Sequence, residues 1–162
     1  MNPNEKQVKG FLVSKTNPKG KITYCNQAFI DVSGFTEKEL LNKPHSIVRH
    51  PDMPRTIFKF LWSEITQKKE VNAYVKNLSK DGKFYWVFAN VTPSLDIQNQ
   101  IVGHYSVRRA PNRKGLPPIE ELYAKLCQIE KTQGIDAGLA YFHSFFQDKD
   151  YNSFVLDLQI RS

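Results

Sequence analysis

The feature that most constrains the fold is a hairpin signal near the middle of the chain. Val71–Leu78 and Phe84–Pro93 are rich in β-branched and aromatic residues, and the segment SKDGK (residues 79–83) separates them. An Asp-Gly pair between two such segments is typical of a tight turn that joins antiparallel strands. A polar loop at Asp96–Gln100 then leads into a third strand pattern, Ile101–Arg108. The sequence therefore predicts a three-stranded antiparallel meander.

Two strand patterns and a group of short helices precede this meander. The strand patterns lie at residues 10–15 and 21–25, on either side of a polar turn. Asn26 is placed to cap a short helix that ends at Gly34, and Thr-x-x-Glu at 36–39 matches a capping box. Helices and strands are thus segregated along the chain. We expect an α+β fold in which helices cover one side of a five-stranded antiparallel sheet.

A proline-rich segment, Pro44–Trp62, lies between the short helices and the meander. It contains three prolines, two histidines and two arginines, which indicates an ordered irregular loop. From Met53 or Pro54 the pattern becomes helical and continues to about Lys69. Cationic side chains beside a helix N-terminus suit an anion such as a phosphate. A simpler alternative is that Asp52 only caps this helix.

The C-terminal part differs from the rest in pattern. We divide the chain into a domain at 1–110, a proline-rich linker at 111–118 and a helical extension at 119–162. Residues 151–160 fit either a helix or a strand by periodicity. We favour a helix because the two preceding patterns are helical and Asp150 can cap it.

Composition excludes several classes of protein. The net charge is +7, but the lysines are scattered rather than gathered in a stripe, so we do not expect a nucleic-acid partner. No apolar run approaches the length of a membrane helix and no signal peptide is evident, which predicts a cytoplasmic protein. Cys25 and Cys127 lie far apart without metal-ligand spacing and are expected to be reduced. No catalytic motif appears, and we do not expect an enzyme.

Several motifs in order resemble a known family. The run NQAFIDVSGFTEKELLNKPHSIVRHPDMP is followed by FLW, by VKNLSKDGKFYWVFANVTP and by GHYSVRR. Together, over about residues 10–110, they resemble a PAS domain, and more narrowly the FAD-binding PAS sensor of bacterial aerotaxis, or energy taxis, receptors. The resemblance implies a PAS fold: a five-stranded antiparallel sheet with short helices on one side. In this chain a C-terminal helical extension follows.

The resemblance also implies a flavoprotein with FAD held non-covalently between the sheet and the helices. By their match to the family motifs, the implied cofactor-binding residues are Arg49, His50, Asp52, Trp62, Asn77 and Asn90. His45 of the same loop is a secondary candidate. Their chemistry is suitable, since an arginine offers a forked donor and a tryptophan a flat stacking face. The simpler alternatives are a surface role for the two histidines and ordinary core packing for Trp62. A photoreceptor that forms a cysteinyl adduct is not expected, because Pro44, His45 and Ser46 stand where that relative carries its cysteine.

The expected function is redox- or oxygen-linked signal transduction. The chain lacks the membrane helix and HAMP region of aerotaxis receptors, so we expect it to signal in trans to a membrane-bound methyl-accepting chemotaxis transducer, which would bring it to the inner membrane. Residues 116–160 are expected to dock on that partner or to form a homodimer, unless they only pack on their own sheet. Two alternatives stay open: a cofactor-free adaptor or dimerisation module, and a haem sensor with His45 or His50 as axial ligand.

Overall fold

A computed structural model describes residues 1–146 and 149–161. The strands are β1 (Leu12–Thr16), β2 (Ile22–Cys25), β3 (Val71–Leu78), β4 (Phe84–Leu95) and β5 (Ile101–Arg109). The helices are α1 (Gln27–Ser33), α2 (Glu37–Leu40), α3 (Arg55–Thr66), α4 (Leu116–Gln133), α5 (Ile135–Phe146) and α6 (Tyr151–Ile160). Two 3₁₀ turns, His45–Val48 and Arg113–Gly115, complete the fold.

The five strands form one antiparallel sheet in the order β2-β1-β5-β4-β3. The Asp-Gly hairpin pairs Leu78 with Phe84 at its closed end and Val71 with Val91 at its open end. Strand β1 lies between β2 and β5, so the first strand of the chain pairs directly with the last one. The predicted α+β architecture, with a five-stranded antiparallel sheet, is confirmed.

Local capping signals predicted the helix ends well. The Asn26 side chain accepts from the backbone N–H of Phe29, and Gly34 ends α1 with a φ of 76°. The reciprocal capping box between Thr36 and Glu39 is present at α2. The ambiguous C-terminal stretch is a helix, as we expected, and the Asp150 carboxylate caps it by accepting from Ser153.

The cap of α3 differs from the prediction. The helix begins at Arg55, and the Asp52 side chain does not cap it. Instead, the Glu130 carboxylate of α4 accepts from the backbone N–H of Arg55 at 3.0 Å and that of Thr56 at 2.8 Å. The expected anion at this helix N-terminus is therefore a side chain of the protein itself. Sequence reasoning missed it because Glu130 is 75 residues away from Arg55.

The two faces of the sheet pack against different parts of the chain. One, here called the inner face, meets α1, α2 and the 3₁₀ turn at His45–Val48, with Phe29 and Tyr85 fully buried in this cluster. Helix α3 faces the same side of the sheet across a cavity, and its buried residues Ile57, Leu61 and Ile65 pack with the core of the other face. The other, the outer face, carries Trp86 and Phe88, which pack with Tyr123 and other residues of α4, α5 and α6. The sheet is thus covered on both sides, as amphipathic elements require.

The C-terminal helices pack on the chain's own sheet. Helix α4 begins at Leu116, within the predicted linker 111–118, and Leu122 and Leu126 are buried in the outer-face core. This is the simpler arrangement that we considered for residues 116–160, and a docking role for the rest of their surface stays a prediction. No helix in the described ranges, 1–146 and 149–161, has the length and apolar character needed to cross a membrane.

Candidate functional site

A cavity of about 420 Å³ lies between the inner face of the sheet and α3. Its size falls within the range of small-molecule sites, and its lining is mostly apolar with a few polar side chains, which is typical of such sites. Short side chains of the hairpin strands β3 and β4, among them Ala73, Val75, Ala89 and Val91, form its floor. Because these side chains are short, they leave room above the sheet for a ligand.

Helix α3 forms the opposite wall. Phe58, Leu61, Trp62 and Ile65 recur at helical spacing and all line the cavity. Leu61 and Ile65 are buried, whereas Trp62 is 45% exposed. Its indole lies beside the imidazole of His104, with the ring centroids 5.3 Å apart. A large aromatic side chain left half in solvent at a cavity is better suited to stack on a ligand than to fill a core.

A buried cationic cluster lines another part of the cavity. Arg108 of β5 is 3% exposed, and its Nη1 donates to Ser106 Oγ at 2.9 Å and to His45 Nε2 at 3.0 Å. Ser14 Oγ also lies 2.9 Å from His45 Nε2. Since Arg108 can only donate, His45 Nε2 must accept, which places the imidazole proton on Nδ1. The ring of Phe29 stacks on His45 and supports the guanidinium of Arg108 from 4.6 Å.

Burial sets the charges in this cluster. Enclosure of the imidazole, helped by the positive charge of Arg108, lowers the pKa of His45 to about 3, so the ring is neutral at physiological pH. Burial also lowers the pKa of Arg108 to about 10, which leaves it protonated. The cluster therefore carries one positive charge. The Nε2 lone pair of His45 already accepts hydrogen bonds and is not free to ligate a haem iron.

The neutral state of His45 predicts a specific acid sensitivity. In the unfolded chain the pKa of histidine is about 6.5, so between pH 6.5 and 3 the unfolded chain binds a proton that the folded protein excludes. Stability from this residue is complete above pH 6.5 and falls by up to about 1.4 kcal/mol per pH unit below it. Between pH 7 and 5, we expect the wild type to lose about 2 kcal/mol more than His45→Gln in urea unfolding.

The control is His143→Gln, because His143 is exposed on α5. Burial also lowers the pKa of His50 and of His104. These two histidines are present in the wild type, in His45→Gln and in His143→Gln, so they contribute equally to the pH dependence of all three proteins. Equal pH dependence in the wild type and His45→Gln would contradict a neutral, buried His45.

Four of the seven candidate cofactor-binding residues line the cavity: His45, Arg49, Trp62 and Asn77. Arg49 and Asn77 form an isolated antiparallel bridge, which ties the proline-rich loop to the edge of the sheet. The Arg49 guanidinium lies 3.8 Å above the ring of Phe58, which also lines the cavity. Arg49 is exposed, unlike Arg108.

The structure places His50 and Asp52 beside the cavity rather than in its lining. The backbone N–H of Asp52 donates to His50 Nδ1 at 3.0 Å, and Lys76 Nζ donates to the Asp52 carboxylate at 3.0 Å. Hydrogen bonding to Lys76 holds the pKa of Asp52 below its usual range. In this position both residues fix the loop against β3, and their role in cofactor binding stays a prediction.

Asn90 lies on the outer face of the sheet, across from the cavity. Its side-chain amide donates to Asn72 Oδ1 at 3.0 Å and to Glu70 Oε1 at 2.5 Å. The Asn72 amide in turn donates to Asn152 of α6 at 2.9 Å. Asn90 thus belongs to a polar network beneath α6, and its role toward a cofactor in the cavity is likewise untested.

Sequence reasoning missed three polar residues of the cavity. His104, Ser106 and Arg108 alternate along β5 and all three are buried on its inner face. Polar side chains at alternate positions of a central strand are a signal, since such positions are usually apolar when buried. Neither cysteine lines the cavity: Cys25 lies in the inner-face core and Cys127 lies on α4. Within the described residues, no group of three or more metal-ligating side chains occurs.

Comparison with known proteins gives two kinds of likeness. The PAS fold profile matches residues 11–107. The aerotaxis receptor of Escherichia coli K12 is 36% identical over 128 residues, which cover 79% of this chain and 25% of the receptor. The nitrogen fixation regulatory protein of Klebsiella pneumoniae is 28% identical over 97 residues, which cover 60% of this chain and 20% of that protein. The chain therefore spans about a quarter or less of the length of these relatives.

Solved structures show the same fold at low sequence identity. The dark-state LOV domain of the blue-light photoreceptor Aureochrome1 superposes with a TM-score of 0.58 at 20% identity and covers 74% of this chain and 86% of its own. A light-oxygen-voltage domain studied with a flavin analogue gives a TM-score of 0.58 at 18% identity, with coverage of 75% and 84%.

Proposed function

Because the chain belongs to the PAS family of sensor domains, we propose that it binds FAD non-covalently in the cavity above its sheet and reports redox state or oxygen for energy taxis. The observation that carries this proposal is the exposed Trp62 at a mostly apolar cavity that also contains the cations Arg49 and Arg108. A planar, apolar ring system with polar edges and an anionic tail matches such a site.

The residues present fit this cofactor. Trp62 offers a stacking face, and the Arg49 guanidinium is a forked donor suited to phosphate oxygens. The Asn77 amide, which is 4% exposed at the cavity, can both donate to and accept from a ring edge. When bound, FAD would supply reversible electron uptake, and these side chains would orient it and exclude water. Likeness to the E. coli aerotaxis receptor and the shared fold of a light-oxygen-voltage domain studied with a flavin analogue support a flavin. The choice of FAD rests on the motif resemblance described from the sequence.

The absorbance spectrum of the purified protein, before and after dithionite, tests the cofactor. We expect a two-band yellow flavin spectrum that bleaches on reduction, with FAD released on denaturation. A Soret band would instead favour the haem alternative. A protein with no visible absorbance after expression and after incubation with FAD would favour the cofactor-free adaptor, and either result would contradict the proposal.

Trp62→Ala is expected to lose most of the bound FAD while its far-ultraviolet circular dichroism stays that of the wild type. The reason is that Trp62 lies at the cavity but is too exposed to contribute much to the core. Arg49→Ala is expected to weaken binding in the same assay. The matched control is Tyr24→Ala, an aromatic side chain of similar exposure, 48%, that is not among the cavity-lining residues. Full FAD occupancy in both Trp62→Ala and Arg49→Ala would refute the site.

The proposal also covers how the protein passes its signal to a partner. We propose that the chain signals in trans to a membrane-bound methyl-accepting transducer through its HAMP region, or as a homodimer, using the outer surface of residues 119–162. Phe145, Leu156 and Ile160 on that surface are 46%, 36% and 73% exposed, which leaves apolar area for a partner. Binding of the transducer's HAMP-containing fragment should change when the bound FAD is reduced. Redox-independent binding would contradict this coupling.

A further inference from the structure

Arg108 is a buried cation that lacks an acidic partner. Its Nη1 is bonded to Ser106 and His45, but its Nε and Nη2 have no hydrogen-bond partner among the described residues. No ion pair of the described chain includes it. The side chain lines the cavity.

An uncompensated buried charge is costly, and proteins usually pair it or neutralise it. Packing on Phe29 and two hydrogen bonds from one nitrogen offset only part of this cost. Neutralisation does not occur, because the pKa of Arg108 falls only to about 10. The missing partner is therefore a hydrogen-bond acceptor or a negative charge within the cavity.

Arg49, the other arginine at the cavity, is placed differently. Partial burial lowers the pKa of Arg49 too, but its side chain is exposed, so water screens its charge more than that of Arg108. Arg108 is enclosed, and a charge in a medium of low dielectric constant acts more strongly on its neighbours. A change of charge in the cavity will therefore be influenced by Arg108 more than by Arg49.

We propose that Arg108 makes this cavity favour the reduced, negatively charged form of its flavin, which raises the cofactor's midpoint potential. This inference rests on the proposed FAD site. The oxidised flavin ring is neutral. Two electrons from a low-potential donor and one proton taken from water give a ring with one negative charge, which offsets the charge of Arg108. A second proton would remove the negative charge of the reduced ring, and the positive charge of Arg108 disfavours this protonation.

The test is a reductive titration of the purified holoprotein with dithionite and reference dyes. In Arg108→Met, we expect the ratio of reduced to oxidised FAD at a fixed potential to fall at least tenfold, a shift of about 30 mV for a two-electron couple. Arg108→Lys keeps the charge and should stay closer to the wild type. Arg109→Met is the matched control, because Arg109 is the next residue of β5 but is exposed and is not among the cavity-lining residues. It should leave the ratio close to that of the wild type.

The wild type alone gives an independent readout in case Arg108→Met does not fold or does not hold FAD. The midpoint changes by about 30 mV per pH unit when one proton accompanies two electrons, and by about twice that when two protons do. The one-proton slope should persist to lower pH in the protein than in free FAD.

Two results would overturn the inference while leaving the FAD site intact. They are an unchanged midpoint in a flavin-loaded Arg108→Met, and a change of slope at the same pH as in free FAD. A wild-type protein that takes up no flavin would instead overturn the proposed function, and this inference with it.

Discussion

A chain that ends at Gly115 is expected to lose cooperative folding. The truncation removes α4, α5 and α6, which cover the outer face of the sheet. Tyr74, Trp86 and Phe88 would then pass from 0%, 5% and 3% exposure to solvent. Each large apolar side chain contributes about 1.5–3 kcal/mol when buried. Three of them together approach the whole stability of a typical domain, about 5–15 kcal/mol.

Polar contacts would be lost as well. The Tyr123 hydroxyl of α4 donates to the backbone carbonyl oxygen of Tyr74 at 2.6 Å, and it also bonds to the Tyr151 hydroxyl of α6. The Tyr74 hydroxyl donates to Gln159 at 3.0 Å. Burial raises the pKa of both Tyr123 and Tyr151, so this cluster stays neutral across the physiological range.

Thermal melts by circular dichroism and size-exclusion chromatography, with the full chain as control, measure the outcome. We expect the truncated chain, residues 1–115, to aggregate or to melt without a sharp transition. A folded, monomeric product with the melting temperature of the full chain would show that residues 119–162 are separable, as a dedicated docking arm would be.

Short-range signals predicted most of the fold. The Asp-Gly turn, the cap at Asn26 and the capping box at Thr36 each depend on residues within a few positions of one another. Such interactions form in nearly the same way wherever the segment sits in the protein. The order of these elements predicted the hairpins and a single antiparallel sheet, whereas the pairing of β1 with β5 joins distant segments and was not predicted.

Contacts between distant segments could not be predicted in the same way. Asn90 shares a sheet face with the large side chains of Trp86 and Phe88, at every second position of β4. The sequence alone does not show that α4–α6 cover this outer face of the sheet, or that the cavity lies at the inner face. Ala89 and Val91 alternate with these residues along β4 and face the cavity, which their short side chains leave open.

The polar residues of β5 show the same limit. Their alternation shows that one face of the strand is polar, but it does not show whether that face is exposed or buried. Only the position of β5 between β1 and β4 places Arg108 inside, where its hydrogen bond to His45 spans 63 residues. The motif GHYSVRR covers this strand, but the family resemblance implied no cofactor-binding role for its polar residues.

The link between Glu130 and α3 yields the second large effect. Glu130→Ala is expected to lower the free energy of unfolding by about 3 kcal/mol, since removing an acceptor from a buried donor costs about 1–3 kcal/mol. The carboxylate accepts from the backbone N–H and the hydroxyl of Thr56, a residue with 0% exposure, and from the backbone N–H of Arg55. The positive end of the α3 dipole adds to the attraction.

The carboxylate lies at a close contact of three helices. Gly138 of α5 approaches so closely that a Cβ on it would lie 2.5 Å from the Thr56 hydroxyl oxygen and 3.2 Å from Glu130 Cγ. Helices α3, α4 and α5 therefore meet at this point without space for a side chain at Gly138, and Glu130→Ala removes the protein acceptor of both donors of Thr56.

Urea unfolding of Glu130→Ala, Glu130→Gln and Glu121→Ala separates the contributions. Glu130→Gln keeps one oxygen acceptor but loses the charge and turns an amide toward the helix N–H groups, so it should lie between the wild type and Glu130→Ala. Glu121 is exposed on the same helix, and its substitution should change stability by less than about 0.5 kcal/mol. If Glu130→Ala were as stable as Glu121→Ala, the carboxylate would not be what fixes α3. Since α3 carries Phe58 and Trp62 to the cavity, a loss of stability at Glu130 should also weaken FAD retention.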